Sequence, residues 1–236
     1  MKNVLVTGSC RSIGLKIAET YAKNGFNVFV TGRNPEKAEK IANSIGAKGF
    51  FACDFNDDDA CEKLFEAAVK TLGNIDILVN NAGVYECSEI EKARQLDEII
   101  NVNFKTPYKL AALCIPEMKK RKFGRIINIG SVSGAIGEAY AVSYSMTKSS
   151  YSGFSKALGL EVAQFGITVN TINPGWVETD MTAEDACSAD EIVDVVPQKR
   201  FVTPEEIAHA CIYLTSDHAR GITGQSINVC AGISMG

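Results

Sequence analysis

The stretch Val4-Leu5-Val6-Thr7-Gly8-Ser9-Cys10-Arg11-Ser12-Ile13-Gly14 joins a short apolar run to the start of a helical pattern. Consecutive aliphatic residues of this kind are typical of a buried strand. A glycine-containing turn between a strand and a helix leaves backbone N–H groups free to face an anion. Gly8 permits the tight turn, and Gly14 permits close packing of the helix on the sheet. The stretch therefore predicts a strand, a phosphate-binding turn and a helix.

The alternation of apolar runs and helical patterns continues along the whole chain. The expected strands lie at Asn3–Thr7, Asn27–Thr31, Gly49–Ala52, Ile75–Asn80, Arg125–Ile129, Thr168–Asn173 and Ser226–Val229. The expected helices lie at Ile13–Asn24, Pro35–Ile45, Asp57–Leu72, Leu96–Arg121, Tyr140–Phe165 and Pro204–Thr215. Strands separated by helices form parallel sheets that are covered on both faces. We predict an α/β fold: a single doubly wound (Rossmann) domain over residues 1–236, with a seven-stranded parallel sheet.

Composition excludes several functional classes. The chain has 236 residues, 46% of them hydrophobic, and a net charge of −4, so no overall basic field favours nucleic acid or an anionic membrane. The apolar runs are too short for a signal peptide or a membrane span. The 8 cysteines show no Cys-x-x-Cys spacing. We therefore expect reduced thiols, no metal site and a cytoplasmic protein.

The residues after the second strand predict which dinucleotide is bound. An NAD-binding site of this type places Asp or Glu there, whereas this chain has Thr31-Gly32-Arg33-Asn34. A guanidinium at Arg33 suits the 2′-phosphate of NADP(H), and Arg11 in the turn can approach the same phosphate. The alternative is that Arg33 is a solvated loop charge. We predict NADP(H) in preference to NAD(H).

Tyr144 and Lys148 are the candidate acid–base pair. Positions i and i+4 of a helix project from one face, so the two side chains can share a site. An ammonium close to a phenol, together with the positive charge of an oxidised nicotinamide, is expected to lower the tyrosine pKa toward neutrality. The spacing alone is weak, and its value depends on the residues around it.

These motifs together resemble the short-chain dehydrogenase/reductase family over essentially the whole chain. The resemblance is carried, in the family's order, by Thr7-Gly8…Gly14, Asp54, Asn80-Asn81-Ala82-Gly83, Asn103, Ser131, Tyr144-x-x-x-Lys148 and Pro174-Gly175. The family is one of nicotinamide-dependent oxidoreductases, which transfer hydride between the cofactor and a carbonyl or alcohol.

The resemblance implies a role for each matching residue. Tyr144 would exchange a proton with the substrate oxygen, Lys148 would lower its pKa and hold the nicotinamide ribose, and Ser131 would polarise the carbonyl. Asn103 would hold a water that links Lys148 to solvent. The implied cofactor contacts are Gly8, Ser9, Cys10, Arg11, Ser12, Ile13, Gly14, Arg33, Asp54, Phe55, Asn81, Ala82, Gly83, Tyr144, Lys148, Pro174, Gly175, Val177 and Thr179. It also implies a homotetramer in which the Tyr140–Phe165 helix and the preceding helix form a bundle across a two-fold axis.

One position departs from the family pattern. Ser12 stands where the family usually has a third glycine. A side chain at the start of a helix narrows the approach of a pyrophosphate, but its hydroxyl can also donate a hydrogen bond to a phosphate oxygen. We expect the second effect, because serine is favourable near a helix N-terminus.

The substrate is less well defined by the sequence. The stretches Ile127–Gly134, Gly166–Asn170 and Val177–Met181 most resemble 3-oxoacyl-[acyl-carrier-protein] reductases, and Lys119-Lys120-Arg121-Lys122 can dock an acidic carrier protein. The alternative for this cluster is a solvated helix end.

Two features oppose a carrier-linked substrate. Phe165 occupies a position that is often basic in those reductases, and the expected lid at residues 179–196 is acidic. A reductase of small cyclic ketones, sugars or steroids, with Trp176 and Tyr140 stacking on a ring, is the alternative. An NADPH-binding regulatory protein without turnover is the alternative from a different class.

Overall fold

A computed structural model describes residues 1–178 and 193–235. Its sheet has 7 parallel strands in the order β3-β2-β1-β4-β5-β6-β7. The strands are β1 (Asn3–Val6), β2 (Asn27–Gly32), β3 (Gly49–Ala52), β4 (Ile77–Asn80), β5 (Gly124–Ile129), β6 (Ile167–Pro174) and β7 (Ser226–Val229). This topology confirms the predicted doubly wound fold.

The strand order reverses between β1 and β4. The chain runs outward from β1 through β2 to β3 and then returns to pair β4 with β1, Val6 lying opposite Val79. Connections on the two sides of this point leave the sheet in opposite directions, which opens a crevice at the carboxyl ends of the strands. Ligands bind in such crevices, so the fold places the site at the ends of β1 and β4.

Helices cover both faces of the sheet. They are α1 (Ser12–Lys23), α2 (Pro35–Ile45), α3 (Ala60–Leu72), α4 (Leu96–Ile100), α5 (Thr106–Arg121), α6 (Ser133–Ile136), α7 (Val142–Val162) and α8 (Pro204–Thr215). On one face, Tyr21 of α1 and Ile207 of α8 belong to one core cluster. On the other, Leu64 of α3 and Leu110 of α5 belong to a second cluster. The parallel strands between them are therefore shielded from water, as expected of such a sheet.

The predicted single helix at Leu96–Arg121 is wrong in one respect. The segment Asn101–Lys105 between α4 and α5 is a π-helix. Pro107 has no N–H to offer the carbonyl of Asn103 four residues earlier, and the Tyr151 hydroxyl of α7 donates to that carbonyl at 2.7 Å. The helix is widened because a distant side chain takes the backbone acceptor that proline leaves free.

The four-residue helix α6 was not predicted, because so short a segment shows no periodicity. Of the acidic lid expected at residues 179–196, only residues 193–196 lie within the described part of the chain.

None of the helices in the described residues combines the length and the hydropathy that crossing a bilayer requires.

Candidate active site

A cleft of about 600 Å³ lies at the carboxyl ends of the strands. It extends from the start of α2, past the turn after β1, to the end of β6. The predicted site residues that line it are Gly8, Cys10, Arg11, Ser12, Ile13, Gly14, Arg33, Asp54, Phe55, Asn81, Ala82, Gly83, Ser131, Tyr144, Lys148, Pro174, Gly175 and Val177. Segments far apart in the sequence thus form one continuous wall.

Two of the predicted site residues that the structure describes, Ser9 and Asn103, are not on that wall. The Ser9 side chain turns into the sheet, where its hydroxyl donates to the Val6 oxygen at 2.9 Å and accepts from the Thr31 N–H at 2.9 Å. Ser9 therefore joins β1 to β2 instead of facing a ligand. Asn103 is fully buried, and its amide exchanges two hydrogen bonds of 2.8 Å with the backbone of Val84. Thr179 lies outside the described residues.

The turn after β1 leaves no room for side chains at its two glycines. Gly8 has φ +63°, and a Cβ there would lie 2.9 Å from the Cα of Ala82. A Cβ on Gly14 would lie 2.3 Å from the oxygen of Gly8. The Asn81 amide donates to the oxygens of Thr7 and Gly8 at 2.9 and 3.1 Å, which fastens the turn to the end of β4. The turn is therefore rigid before any phosphate arrives.

Ser12, the departure from the glycine pattern, adopts a left-handed backbone conformation with φ 46°. This conformation costs an L-residue roughly 1–2 kcal/mol, a cost that glycine avoids. The strain lies at the first residue of α1, where Ser12, Ile13 and Gly14 line the cleft.

Ser12→Gly is expected to raise the free energy of unfolding by about 0.5–1 kcal/mol, because the strain is relieved while glycine loses more backbone entropy. If the Ser12 hydroxyl donates to a phosphate, the same variant binds the dinucleotide about fivefold more weakly. Urea denaturation and titration with NADPH measure the two effects. Ser44→Gly, an exposed site within α2, is the matched control and is expected to lose stability. Equal losses in both variants would contradict the strain at Ser12.

Cationic side chains gather at the α2 end of the cleft. Arg33 and Arg11 line it as predicted, and Lys37 of α2 joins them. Arg33 Nη1 lies 3.9 Å from Glu98 Oε1, and its side chain is 67% exposed. Lys37 was not predicted. Its position gave a signal, because it follows Glu36 in the first turn of α2 and that turn faces the end of β2. The group is suited to a phosphate.

Tyr144, Lys148 and Ser131 meet at the other end of the cleft. Lys148 Nζ donates to the main-chain oxygen of Ile129 at 2.7 Å and lies 5.6 Å from the centroid of the Tyr144 ring. Burial lowers the pKa of Lys148 to about 7. Burial raises the pKa of Tyr144 to about 12, although its hydrogen bond with Ser131 acts in the opposite direction. The protein's own groups therefore do not produce the predicted lowering of the Tyr144 pKa. Burial disfavours the charged form of both side chains, the Tyr144 phenolate and the Lys148 ammonium.

Comparisons with known proteins show which family the chain belongs to. The model of a family described as "Enoyl-(Acyl carrier protein) reductase" matches residues 8–234. The 3-oxoacyl-[acyl-carrier-protein] reductase FabG of Escherichia coli (strain K12) is 38% identical over 240 residues, which cover 99% of this chain and 98% of that protein. The enzyme of the same name from Staphylococcus aureus (strain Mu50 / ATCC 700699) is 37% identical over 244 residues, with the same coverage. The chain belongs to the short-chain dehydrogenase/reductase family.

Solved structures of ketoreductases share the fold of this short-chain dehydrogenase/reductase. The 3-ketoacyl-(acyl-carrier-protein) reductase from Brucella melitensis, complexed with NADH, superposes with a TM-score of 0.93 at 29% identity and covers 99% of this chain and 98% of its own. A variant of actinorhodin polyketide ketoreductase with NADPH gives 0.93 at 34% identity, with 98% and 97% covered. The chain is therefore an oxidoreductase that acts on a ketone or alcohol.

Two aromatic residues considered for substrate stacking in this short-chain dehydrogenase/reductase differ in position. Trp176 lines the cleft. Tyr140 is 60% exposed and is absent from the cleft wall. Three wall residues near Tyr144 were not predicted: Tyr85, Ser133 and Glu138. Their sequence spacing gives no signal, because tertiary folding brings Tyr85 to the other two.

Lys148→Met is expected to make this short-chain dehydrogenase/reductase more stable at low pH. The folded pKa of about 7 lies below the ordinary value of 10.5, so between these pH values the unfolded chain holds a proton that the folded chain lacks. The contribution of Lys148 to the free energy of unfolding is therefore lowest below pH 7 and rises as the pH increases above 7. The variant leaves the Ile129 oxygen without its Lys148 donor, which offsets part of the gain. We expect the free energy of unfolding to rise by about 2 kcal/mol at pH 6 and by less at pH 9.

Urea denaturation at the two pH values measures this change. Lys156→Met removes an exposed lysine from the same helix and is the control. A stability difference between Lys148→Met and wild type that does not depend on pH would contradict the burial of a titrating ammonium.

Proposed function

We propose that this protein is an NADPH-dependent reductase of 3-oxoacyl thioesters that forms 3-hydroxyacyl products. The observation that carries the proposal is the full-length identity of 37–38% to 3-oxoacyl-[acyl-carrier-protein] reductases. It is supported by the meeting of Ser131, Tyr144 and Lys148 on one cleft wall.

The chain's own residues supply the proton chemistry. When bound, a reduced nicotinamide supplies the hydride that adds to the carbonyl carbon. Tyr144 donates its hydroxyl proton to the carbonyl oxygen, and its raised pKa keeps that proton available at neutral pH. Ser131 donates a hydrogen bond to the same oxygen as negative charge develops there. A charged Lys148 stabilises the phenolate that remains.

The cleft fits NADP(H). The rigid turn from Gly8 to Gly14 offers main-chain N–H groups to a pyrophosphate. Arg11, Arg33 and Lys37 lie at the α2 end, where a 2′-phosphate would require cations. Glu98 lies close to Arg33 and partly offsets its charge. Because cations outnumber this acid, we assign NADPH as the preferred donor.

The cleft offers a substrate apolar side chains as well as the polar ones near Ser131. The apolar residues on its wall include Val84, Ile136, Trp176 and Ile233. An acyl chain buries its methylene groups favourably on such a surface, at about 0.8 kcal/mol for each. A cyclic, sugar or steroid ketone remains the alternative substrate, favoured by the position of Trp176.

The first experiment follows oxidation of NADPH and NADH with acetoacetyl-CoA, a carrier-linked 3-oxoacyl substrate, a panel of cyclic ketones and an enoyl thioester. Faster NADPH-linked turnover of the 3-oxoacyl thioesters than of every other substrate is the expected result. Turnover of cyclic ketones alone would replace the proposed substrate. Turnover of the enoyl thioester alone would favour the activity named in the family description. Cofactor binding without any turnover would favour the regulatory alternative.

An acyl carrier protein is the proposed partner. In the basic cluster, Lys119 pairs with Glu161 at 3.1 Å and lies 5.2 Å from the Phe165 ring centroid, and Lys120 pairs with Glu117. Arg121 donates to the Ile75 oxygen at 2.8 Å. Lys122 is exposed beside them. Lys122 is therefore the member of the cluster that can contact an acidic surface of the carrier protein. Phe165, which lies next to the cluster, adds no positive charge to this surface.

Lys122→Glu is expected to raise KM about fivefold for a carrier-linked substrate and to leave KM for acetoacetyl-CoA unchanged, because only the carrier meets this surface. Lys70→Glu, at an exposed site near the end of α3, is the control. Steady-state kinetics at low ionic strength measures the difference. Parallel changes for both substrates would contradict docking at Lys122.

We also propose a homotetramer in the cytoplasm. Phe104, Tyr108 and Leu160 expose large apolar surfaces around α5 and α7, and covering them would stabilise an assembly. The cysteines in the described residues are free thiols, as expected in a reducing compartment. Size-exclusion chromatography with light scattering tests the assembly, and a monomer at working concentration would overturn it.

A further inference from the structure

Four side chains beside Tyr144 form one hydrogen-bonded group: Ser131, Ser133, Glu138 and Tyr85. The Ser131 hydroxyl donates to Ser133 Oγ at 3.0 Å, and Ser133 Oγ donates to Glu138 Oε2 at 2.5 Å. The Tyr85 hydroxyl donates to Glu138 Oε1 at 2.7 Å. All four line the same cleft as Tyr144. Ser131 is thus linked through one intermediate to a carboxylate.

The local fold brings Glu138 to this position. Ser131 follows β5, and Ser133 begins the short helix α6. Gly137 ends that helix with φ 77° and ψ 159°, a conformation that glycine adopts readily and that turns the chain back. Glu138 consequently faces the start of α6, where Ser133 lies. Tyr85 reaches the same carboxylate from the segment after β4.

The group has a defined direction of donation. An ionised carboxylate only accepts hydrogen bonds, so both Ser133 and Tyr85 must donate to Glu138. Ser133 then offers only lone pairs to Ser131, so the Ser131 proton is donated to Ser133 in this arrangement, and the Tyr144 oxygen is the competing acceptor of that proton. Reduction of a ketone requires that proton at the carbonyl oxygen. The Ser133 N–H donates to Ser131 Oγ at 3.1 Å, so Ser131 keeps a partner while its hydroxyl turns.

Glu138 also acts on Tyr144 through its charge. The carboxylate raises the pKa of the phenol, in addition to the effect of burial. The Tyr85 ring packs edge-on against the Tyr144 ring, with centroids 5.1 Å apart at 82°. Among the described residues, the other titratable groups that face this region are Lys148 and Tyr151 on α7, and Cys87, which contributes to raising the pKa of Tyr85. Glu138 is the anionic member of this set.

We propose that Glu138 is a positioning residue that directs the Ser131 hydroxyl through Ser133 and sets, by its negative charge, the pH range in which Tyr144 transfers protons. It acts on the substrate only through Ser131 and Tyr144. The proposal rests on the ketone reduction proposed above and adds a residue to it.

Glu138→Gln tests both effects with little change of shape. A glutamine amide can donate to Ser133, which then donates to Ser131 and frees the Ser131 proton for the carbonyl. KM for the ketone is expected to fall about fivefold. Without the negative charge, the pH midpoint of alcohol oxidation, which requires the Tyr144 phenolate, is expected to fall by about one unit.

Ser133→Ala separates the two effects. It removes the acceptor of the Ser131 proton and leaves the carboxylate charged, so KM is expected to fall and the pH midpoint to stay. In the Ser133→Ala background, Glu138→Gln is then expected to move only the midpoint. Glu91→Gln removes an exposed carboxylate of the same charge and is the control.

An unchanged midpoint and an unchanged KM in folded Glu138→Gln, judged by thermal unfolding and NADPH binding, would overturn the proposal. If that variant does not fold, an unchanged KM in Ser133→Ala would overturn the role in directing Ser131. The kinetics use whichever ketone the wild type reduces, so a substrate other than a 3-oxoacyl thioester leaves the inference standing.

If the wild type reduces no ketone, the Tyr144 phenol is titrated by its phenolate absorbance with NADP⁺ present. Each protein is compared with its Tyr144→Phe counterpart, which isolates this tyrosine among the 7 in the chain. A midpoint about one unit lower in Glu138→Gln supports the effect of charge, and equal midpoints overturn it.

Discussion

Tyr144→Phe is expected to lower the rate of hydride transfer about a thousandfold while NADPH binding stays within about twofold of wild type. The phenylalanine ring preserves the edge-on contact with Tyr85 but has no proton for the carbonyl oxygen, and general acid catalysis contributes about 10²–10⁴ to such reactions. Single-turnover kinetics with bound NADPH measures the rate of the chemical step directly.

Tyr140→Phe is the matched control for this variant. It removes a hydroxyl from a tyrosine that is 60% exposed and off the cleft wall, so the rate is expected to remain at the wild-type level. A Tyr144→Phe enzyme with an unchanged rate would remove Tyr144 from the catalytic group.

The double variant Arg33→Ala, Lys37→Ala is expected to lower kcat/KM for NADPH about a hundredfold and to change kcat/KM for NADH little. Only NADPH carries the 2′-phosphate that these cations would bind. A charge-assisted contact contributes about 1.5–3 kcal/mol. The lower figure, roughly tenfold for each residue, applies here because Arg33 is 67% exposed and close to Glu98.

Initial rates with both cofactors measure this preference. Lys40→Ala removes an exposed lysine from the same helix, off the cleft wall, and is the control. A double variant that kept the wild-type ratio of NADPH to NADH efficiency would show that Arg33 and Lys37 are solvated charges.

Local sequence patterns predicted the sheet because each strand is a short run of aliphatic residues between turns. The observed ranges of β3 and β7 equal the predicted ones, and the other strands differ by one or two residues at their ends. The π-helix at Asn101–Lys105 could not be predicted, because it depends on the Tyr151 hydroxyl 48 residues away.

Candidate site residues could be predicted from the sequence where one residue type at one position is typical of a particular chemistry. The glycine turn and the Tyr144–Lys148 pair are of this kind, and the structure places both on one wall. The sign of the Tyr144 pKa shift was not predictable, since it depends on burial. The inward turn of Ser9 likewise follows from its bonds to Val6 and Thr31.

The adjacency of β1 and β4 has a consequence for folding. The glycine turn proposed to bind phosphate follows β1. The hydrogen bonds that hold it in place come from Asn81, which lies 74 residues after Thr7 and 73 residues after Gly8. A partly folded chain that has paired only β1, β2 and β3 lacks this fastening. Such long-range pairing forms slowly. Dinucleotide binding should therefore appear late in refolding, and excess ligand should stabilise the completed sheet by mass action.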